Sequence, residues 1–136
     1  MVSCTSMSAS LAKAVSASSD KWEVQVRKGC LELAILAVLW QGRLYGLEIL
    51  RRLEDGSALI VPEGTVYPLL SRLKAEGLLA SEWVEADAGH PRKYYKLTAS
   101  GRRRALQMAE FWSTFSSNLD DLLAPLRLVP PRKEDR

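Results

Sequence analysis

The run from Pro62 to Leu97 limits what this chain can fold into more than any other part of the sequence. Its first part reads PEGTVYPLLSRLKAEGLLASEW, which predicts a short helix entered through Pro and Gly and ended at Gly77. After a polar gap the chain continues GHPRKYYKLTASG, which predicts a basic, aromatic strand returning from a Gly-Pro turn. A helix followed by a basic hairpin is the layout of a winged helix-turn-helix, so we expect a mainly α fold with a small β-hairpin.

The short helix has two faces of different character. Its apolar stripe repeats at helical spacing and consists of Val66, Leu69, Leu70 and Leu73. At about 100° per residue, the opposite face collects mostly small side chains with two cations beside them: Gly64, Tyr67, Pro68, Ser71, Ala75, Arg72 and Lys74. Small residues let a backbone approach another surface, and cations at the rim suit phosphates. If Thr65 is the N-cap, Pro68 falls in the first turn, where its missing N–H has no helical partner to lose.

Two strands are predicted after this helix. The first spans 80–85, a turn covers 86–91, and the second spans 92–97. Alternation along the second strand places Tyr95 and Leu97 on one face and Arg92, Tyr94 and Lys96 on the other. The two strands are expected to form an antiparallel hairpin, the wing.

The N-terminal half predicts two further helices behind an arm. Residues 1–20 are rich in Ser and Ala, which predicts a disordered or loosely helical arm. Residues 23–40 are strongly apolar and predict a buried helix, in which Cys30 would be inaccessible. Residues 45–53 carry apolar side chains at helical spacing and predict the second helix. We therefore expect a winged helix-turn-helix domain over 21–98.

A long last helix with Thr98 as its N-cap is predicted within a dimerisation segment over 99–126, which is followed by a disordered, charged tail at 127–136. Its final turn is expected to close at about Ala124, before Pro125. Apolar residues recur in alternating steps of four and three, which makes a heptad seam: Met108, Trp112, Phe115, Leu119, Leu122 and Leu126, widened by Phe111 and Leu123. A seam outside a domain that has its own core predicts a homodimer.

Composition and motifs narrow the functional classes. A net charge of +3 and a pI near 9.0 fit a nucleic-acid partner without requiring one. Cys4 and Cys30 lack the spacing of a zinc or redox site, so we expect free thiols in a reducing cytoplasm, no metal and no cofactor. The sequence has no stretch as apolar as a membrane span. No nucleophile elbow or phosphate loop is present, and His90 lies in a predicted turn without a catalytic partner, so we expect no enzyme.

Three segments carry a resemblance that spans about residues 28–123: LYGLEI in the second helix, GTVYPLLSRLKAEGLL in the third, and RKYYKLTASGR across the second wing strand. Together they resemble the PadR family of bacterial transcriptional regulators. The last helix is similar to that of the small subfamily, which lacks an extended C-terminal domain and in which this helix mediates dimerisation. The resemblance also implies that Trp112 lines a cavity at the dimer centre for flat hydrophobic compounds. The wing residues His90 and Pro91 and the long arm depart from the family pattern.

The residues and the resemblance together lead us to expect a sequence-specific DNA-binding regulator. Candidate contacts to double-stranded DNA with a palindromic operator are Gly64, Thr65, Tyr67, Pro68, Ser71, Arg72, Lys74, Arg92, Lys93 and Tyr94. The resemblance implies a homodimeric repressor, relieved when a planar hydrophobic effector binds among Met108, Phe111, Trp112 and Phe115. Arg102 to Arg104 suit either DNA backbone or solubility. The alternatives are a winged-helix module that binds only protein, and a carrier of hydrophobic ligands without specific DNA reading.

Overall fold

The computed structural model describes residues 20–55, 59, 62–85 and 89–128. Its elements run in the order α1 (Lys21–Val38), β1 (Leu44–Tyr45), α2 (Gly46–Glu54), α3 (Glu63–Ala75), β2 (Leu79–Glu85), β3 (Pro91–Leu97) and α4 (Ala99–Arg127). The mainly α fold with a small antiparallel sheet is confirmed. Three parts of the predicted segments lie outside the described residues: 1–19 of the arm, 86–88 of the turn and 129–136 of the tail. The chain divides into two compact units, Met1–Ala105 and Leu106–Arg136.

Helix α1 buries one face and exposes the other. Asp20 caps its N-terminus, where the carboxylate Oδ1 accepts a hydrogen bond from the Glu23 N–H at 3.0 Å. The buried stripe consists of Leu31, Ile35 and Leu36. Cys30 lies about 100° around the helix axis from Leu31 and is half-buried. The prediction that this thiol is buried is therefore wrong. The helix ends at Val38, two residues before the predicted end.

Strand β1 replaces the predicted first residue of the second helix. Tyr45 pairs with Tyr94 of β3, so its backbone is extended and α2 begins at Gly46. The Tyr45 N–H donates to the Glu48 carboxylate at 3.1 Å, which satisfies a backbone donor at the helix start. Because this strand has only two residues, it carries no alternation that sequence reasoning could detect.

Helix α3 begins at Glu63, directly after Pro62, as the sequence predicts. Pro62 is the N-cap residue, and its carbonyl accepts from the N–H groups of Thr65 at 2.9 Å and Val66 at 3.3 Å. Thr65 is therefore inside the helix, so the prediction that it caps the N-terminus is wrong. Pro68 consequently lies in the second turn, where it removes the hydrogen bond that would reach the Gly64 carbonyl. Gly64 is exposed, so water can satisfy that carbonyl.

The C-terminal end of α3 is as the sequence predicts. Gly77 has a φ of 80°, a left-handed conformation that glycine adopts without steric cost. The N–H groups of Gly77 and Leu78 donate to the carbonyls of Lys74 and Leu73, each at 3.0 Å. This cap turns the chain directly into β2. The predicted apolar stripe is confirmed, with three fully buried members: Val66, Leu70 and Leu73.

The sheet has the strand order β1-β3-β2, with both pairings antiparallel. Its register places Leu79 opposite Leu97, Ser81 opposite Tyr95 and Trp83 opposite Lys93. The predicted alternation of β3 is confirmed, because Tyr95 and Leu97 are buried while Arg92 and Lys96 are exposed. The buried face of the sheet and the apolar stripes of α1, α2 and α3 form the core of the first unit.

Thr98 caps α4 as predicted. Its hydroxyl oxygen accepts from the Gly101 N–H at 3.0 Å, and the hydroxyl donates to the Gly77 carbonyl at 2.6 Å. Helix α4 continues through Pro125 to Arg127, so the prediction that it closes at Ala124 is wrong. Pro125 lies in the last turn, where the single hydrogen bond that it removes can be replaced by solvent.

The second unit carries an exposed apolar surface on α4. Phe111 and Phe115 stack with ring centroids 5.5 Å apart, and Trp112 lies 5.8 Å from Phe115. The residues of the predicted seam that are exposed are Trp112, Phe115, Leu119, Leu122 and Leu126. Within the described part of the chain, no helix is long and apolar enough to span a membrane.

Candidate nucleic-acid interface

The outer face of α3 is open to solvent at each position that the sequence assigns to it. Gly64, Pro68, Ser71 and Ala75 are exposed, and they give this face a low profile. A Cβ added to Gly64 would meet nothing within 4 Å. Another molecule can therefore approach the helix backbone closely at its N-terminal end. Thr65 is half-buried at the edge of this face.

Tyr67 has a packing role as well as an exposed edge. Its ring lies over Gly46 at the start of α2, where an added Cβ would come within 2.6 Å of the ring atom Cε1. Partial burial, with a smaller contribution from the Glu63 carboxylate, raises the pKa of the Tyr67 hydroxyl. The hydroxyl thus stays protonated and can donate or accept a hydrogen bond. Gly46 is a residue that sequence reasoning missed, since the contact joins two helices.

The two cations of α3 have different surroundings. The Arg72 guanidinium donates to Glu76 at 2.6 Å and to Glu32 of α1 at 2.9 Å. These hydrogen bonds raise the pKa of Arg72 further above its ordinary value. Lys74 is exposed on the other shoulder of the helix. If Arg72 contacted a phosphate, its guanidinium would therefore have to give up a hydrogen bond to a carboxylate.

One face of the wing carries two cations that lie against two tyrosines. The Arg43 guanidinium is 4.7 Å from the Tyr94 ring centroid, and that of Arg92 is 4.6 Å from the Tyr45 ring centroid. The two rings meet edge to face at 5.6 Å. Arg43 also forms an ion pair with Glu82 at 2.7 Å. This arrangement holds Arg92 and Tyr94 on one surface, and it includes Arg43 and Tyr45, which the sequence did not point to.

Lys93 lies on the other face of the wing, since successive residues of a strand point to opposite sides. Its ammonium is 5.9 Å from the Trp83 ring centroid and 5.7 Å from that of Tyr95. Arg92 and Lys93, both of which the sequence predicts as DNA contacts, therefore lie on opposite faces of the wing. Trp83 is a further residue of this face that sequence reasoning did not assign a role.

The arginines at the start of α4 have local partners. Arg102 lies over the Trp40 ring at 4.8 Å and donates to the Trp40 carbonyl at 3.4 Å. Arg103 donates to the Ser100 hydroxyl at 3.1 Å, and Arg104 is exposed. Arg102 therefore connects the turn after α1 with the start of α4. The sequence suggests either a DNA backbone contact or a role in solubility for this arginine, and not this structural contact.

The comparisons with known proteins agree with this geometry. The model of the transcriptional regulator PadR-like family matches residues 35–107. A PadR-like transcription factor from Bacteroides fragilis is 41% identical, with 76% of this chain and 99% of that one covered and a TM-score of 0.62. A PadR-like regulator from Bacillus cereus is 33% identical over 73% of this chain and 96% of its own, with a TM-score of 0.67.

Among curated proteins, a transcriptional regulator of Mycobacterium tuberculosis is 34% identical over 89 residues, which is 61% of this chain and 81% of that protein. Residues 35–107, which the family model matches, contain helix α3, the wing and the start of α4. The family consists of regulators of transcription and not of enzymes. With its winged helix and the exposed outer face of α3, the chain belongs to the PadR-like family of transcriptional regulators.

Proposed function

We propose that this protein is a homodimeric repressor that reads a palindromic operator with α3 and the wing. The observation that carries the proposal is the exposed outer face of α3. Its small side chains, with Tyr67 at the centre, lie in the same unit as a wing that carries cations on both faces. A major groove of B-DNA admits one α-helix, and the residues that approach its base edges must leave room for the backbone.

The candidate residues of α3 divide by chemistry. Gly64, Thr65, Pro68 and Ser71 give close approach, and the hydroxyl groups of Tyr67 and Ser71 supply donors and acceptors for base edges. Lys74 and Arg72 supply positive charge for phosphates. Arg72 is already paired with two carboxylates. Its contribution to the free energy of DNA binding is therefore the difference between a phosphate contact and the carboxylate contacts that it replaces.

The wing supplies the remaining phosphate contacts. Arg92, Lys93 and Tyr94 are held by ring contacts across the sheet, which limits the side-chain freedom that binding would otherwise remove. Each phosphate that is neutralised should change the slope of log affinity against log salt concentration by about 0.9.

Dimerisation is proposed through α4. The seam positions Met108, Trp112, Phe115, Leu119, Leu122, Leu123 and Leu126 form an apolar surface, and most of them are exposed in the single chain. A two-fold dimer would place two α3 helices in successive major grooves, about 34 Å apart. The operator would then be an inverted repeat, and occupancy near a promoter would block polymerase.

An effector site is proposed on the same helix. Met108, Phe111, Trp112 and Phe115 offer aromatic rings and a thioether for contact with a planar hydrophobic compound. Such a compound relieves repression only if it binds the DNA-free arrangement more tightly than the DNA-bound one. Quenching of Trp112 emission by a panel of planar compounds, with Trp112→Phe as the control, tests this part. Equal responses from both proteins would remove Trp112 from the site.

Selection from a random DNA library tests the whole proposal. The protein should enrich an inverted repeat whose half-sites are about one helical turn apart, with two protomers bound per site. Tyr67→Phe and Arg72→Ala should weaken binding to that repeat, and Arg72→Ala should also lower the salt slope. Enrichment of no common sequence would contradict the proposal and favour a module that binds only protein.

A further inference from the structure

Trp83 is a large apolar side chain on the wing that remains 68% exposed. It belongs to the strand face that carries Ser81 and Leu79, and its cross-strand neighbour is Lys93. The next pair toward the core is Ser81 with Tyr95, and Tyr95 is buried. Trp83 and Lys93 therefore extend the buried face of the sheet outward, beyond the point where the helices cover it.

This face is continuous with helix α3. Strand β2 packs against α3, and Tyr67 is close enough to Tyr95 to contribute to the raised pKa of its hydroxyl, after the larger effect of burial. The Lys93 ammonium lies between the rings of Tyr95 and Trp83, at 5.7 and 5.9 Å from their centroids. The buried Tyr95 ring thus lies between Tyr67 of α3 and the Lys93 and Trp83 side chains of the wing.

The charges on this surface indicate what can cover it. Lys93 adds positive charge beside the indole, and Glu85 adds one carboxylate near the end of the strand. Glu82 points to the opposite face, where it is paired with Arg43. An aromatic ring next to a cation suits a surface of alternating sugars and phosphates, because the ring packs on the sugar while the cation meets the phosphate.

We propose that Trp83 is a DNA contact of the wing, with its indole packed against the sugar edges of the minor groove that flanks a half-site. Lys93, held over the ring, neutralises the adjacent phosphate. This inference rests on the proposed function, because it assumes that α3 lies in the neighbouring major groove. It adds an indole to a proposed interface that otherwise consists of small residues, two tyrosines and cations.

Affinity measurements on four proteins test the inference. Trp83→Ala should weaken operator binding by about tenfold or more, with an unchanged salt slope, because no charge is removed. Trp83→Phe should restore most of the affinity. The matched control is Trp22→Ala, since Trp22 is equally exposed at 69% but lies on α1, and it should bind as the wild type does.

A second measurement guards against a folding defect in the Trp83→Ala protein. The probe is a variant that keeps Trp83 as its one indole, with Trp22, Trp40 and Trp112 changed to Phe. Titration first establishes that this variant binds operator DNA, since Trp112 lies in the proposed seam, and its Trp83 emission should then change when the DNA is added. A variant that keeps only Trp22 should show no such change.

The possible outcomes distinguish a DNA contact by Trp83 from DNA binding by the protein as a whole. Wild-type protein that binds operator while Trp83→Ala binds equally well, or while Trp83 emission is unmoved by DNA, would overturn this inference alone. Loss of thermal stability in Trp83→Ala without loss of affinity would do the same, since it would assign Trp83 to hairpin stability. Wild-type protein that does not bind DNA would overturn the proposed function and this inference with it.

Discussion

At the scale of single residues, two glycines have opposite surroundings: one is tightly packed and the other faces open space. A Cβ on Gly101 would overlap the backbone carbonyl oxygen of Leu78, which cannot move without shifting β2. A Cβ on Gly64 would enter open space. Gly101 is therefore required by the fold, whereas Gly64 is not. The missing side chain of Gly64 instead allows a partner to approach the backbone of α3.

We predict that Gly64→Ala raises the free energy of unfolding by up to about 1 kcal/mol, because Ala is the better helix former. The same change should weaken operator binding, because the added methyl group stands between the helix and DNA. Urea unfolding and DNA titration measure the two effects. Gly29→Ala on α1, where a Cβ would also meet nothing within 4 Å, is the control that should gain stability and keep affinity. Equal affinity in both variants would remove Gly64 from the interface.

The two tyrosines between α3 and the sheet predict a loss of stability at high pH. Burial is the main cause that raises the pKa of both Tyr67 and Tyr95 above the ordinary value of 10.0. The folded protein then holds these protons more tightly than the unfolded chain, so the stability that they contribute is full below pH 10 and falls as the pH rises through the folded pKa. Replacing both with Phe should flatten this alkaline limb in pH-dependent unfolding. Superimposable limbs would contradict the prediction.

At the scale of elements, the boundaries that depend on local chemistry could be predicted from sequence. The cap at Thr98, the stop at Gly77 and the two faces of β3 follow from residues within a few positions of one another. The features that sequence reasoning missed are set by contacts between distant segments. Strand β1 forms because Tyr45 pairs with Tyr94 of β3. The Tyr67 ring of α3 packs against Gly46 of α2, where no side chain would fit between them.

The candidate site shows the same division. The exposed face of α3 could be predicted from helical periodicity, because burial of one stripe exposes the other. The partners of Arg72 could not be predicted, since Glu32 is 40 residues away in sequence. Helix α3 also begins before Thr65 and contains Pro68. Pro68 is tolerated because Gly64 is exposed, so water can donate to the Gly64 carbonyl in place of the missing N–H.

The cap of α4 makes a prediction at this scale. Thr98→Ala should lower the free energy of unfolding by about 1 kcal/mol, because it removes the acceptor for the Gly101 N–H and the donor to the Gly77 carbonyl. Thr98→Ser, which keeps the hydroxyl, should lose less. Chemical denaturation measures both, and operator affinity should be the same in all three proteins. A stable Thr98→Ala protein would show that water replaces both hydrogen bonds.

At the scale of the whole molecule, the unit Leu106–Arg136 predicts self-association. Its aromatic and aliphatic side chains are exposed along one helical stripe, and burial of such a stripe against a second copy is the usual source of dimer stability. A dimer also doubles the number of phosphate and base contacts on one DNA molecule, which links this surface to the affinity of α3 and the wing.

We predict that the protein sediments at about twice its chain mass of 15.1 kDa. Phe115→Glu should shift it toward the monomer, because a carboxylate cannot be buried in an apolar seam without a partner. Ser117→Glu, two positions away on the opposite face of the exposed helix, should leave the dimer intact. A monomeric wild type, or a dimeric Phe115→Glu protein, would place the interface elsewhere or remove it.

The most direct measurement of the central claim is the ratio of affinities for the selected operator and for a scrambled DNA of the same length and composition, at one fixed salt concentration. A regulator that reads base edges with α3 should prefer its operator by about 10³-fold or more. A ratio near one, with the two affinities falling together as salt is raised, would reduce the interaction to phosphate attraction and contradict the account.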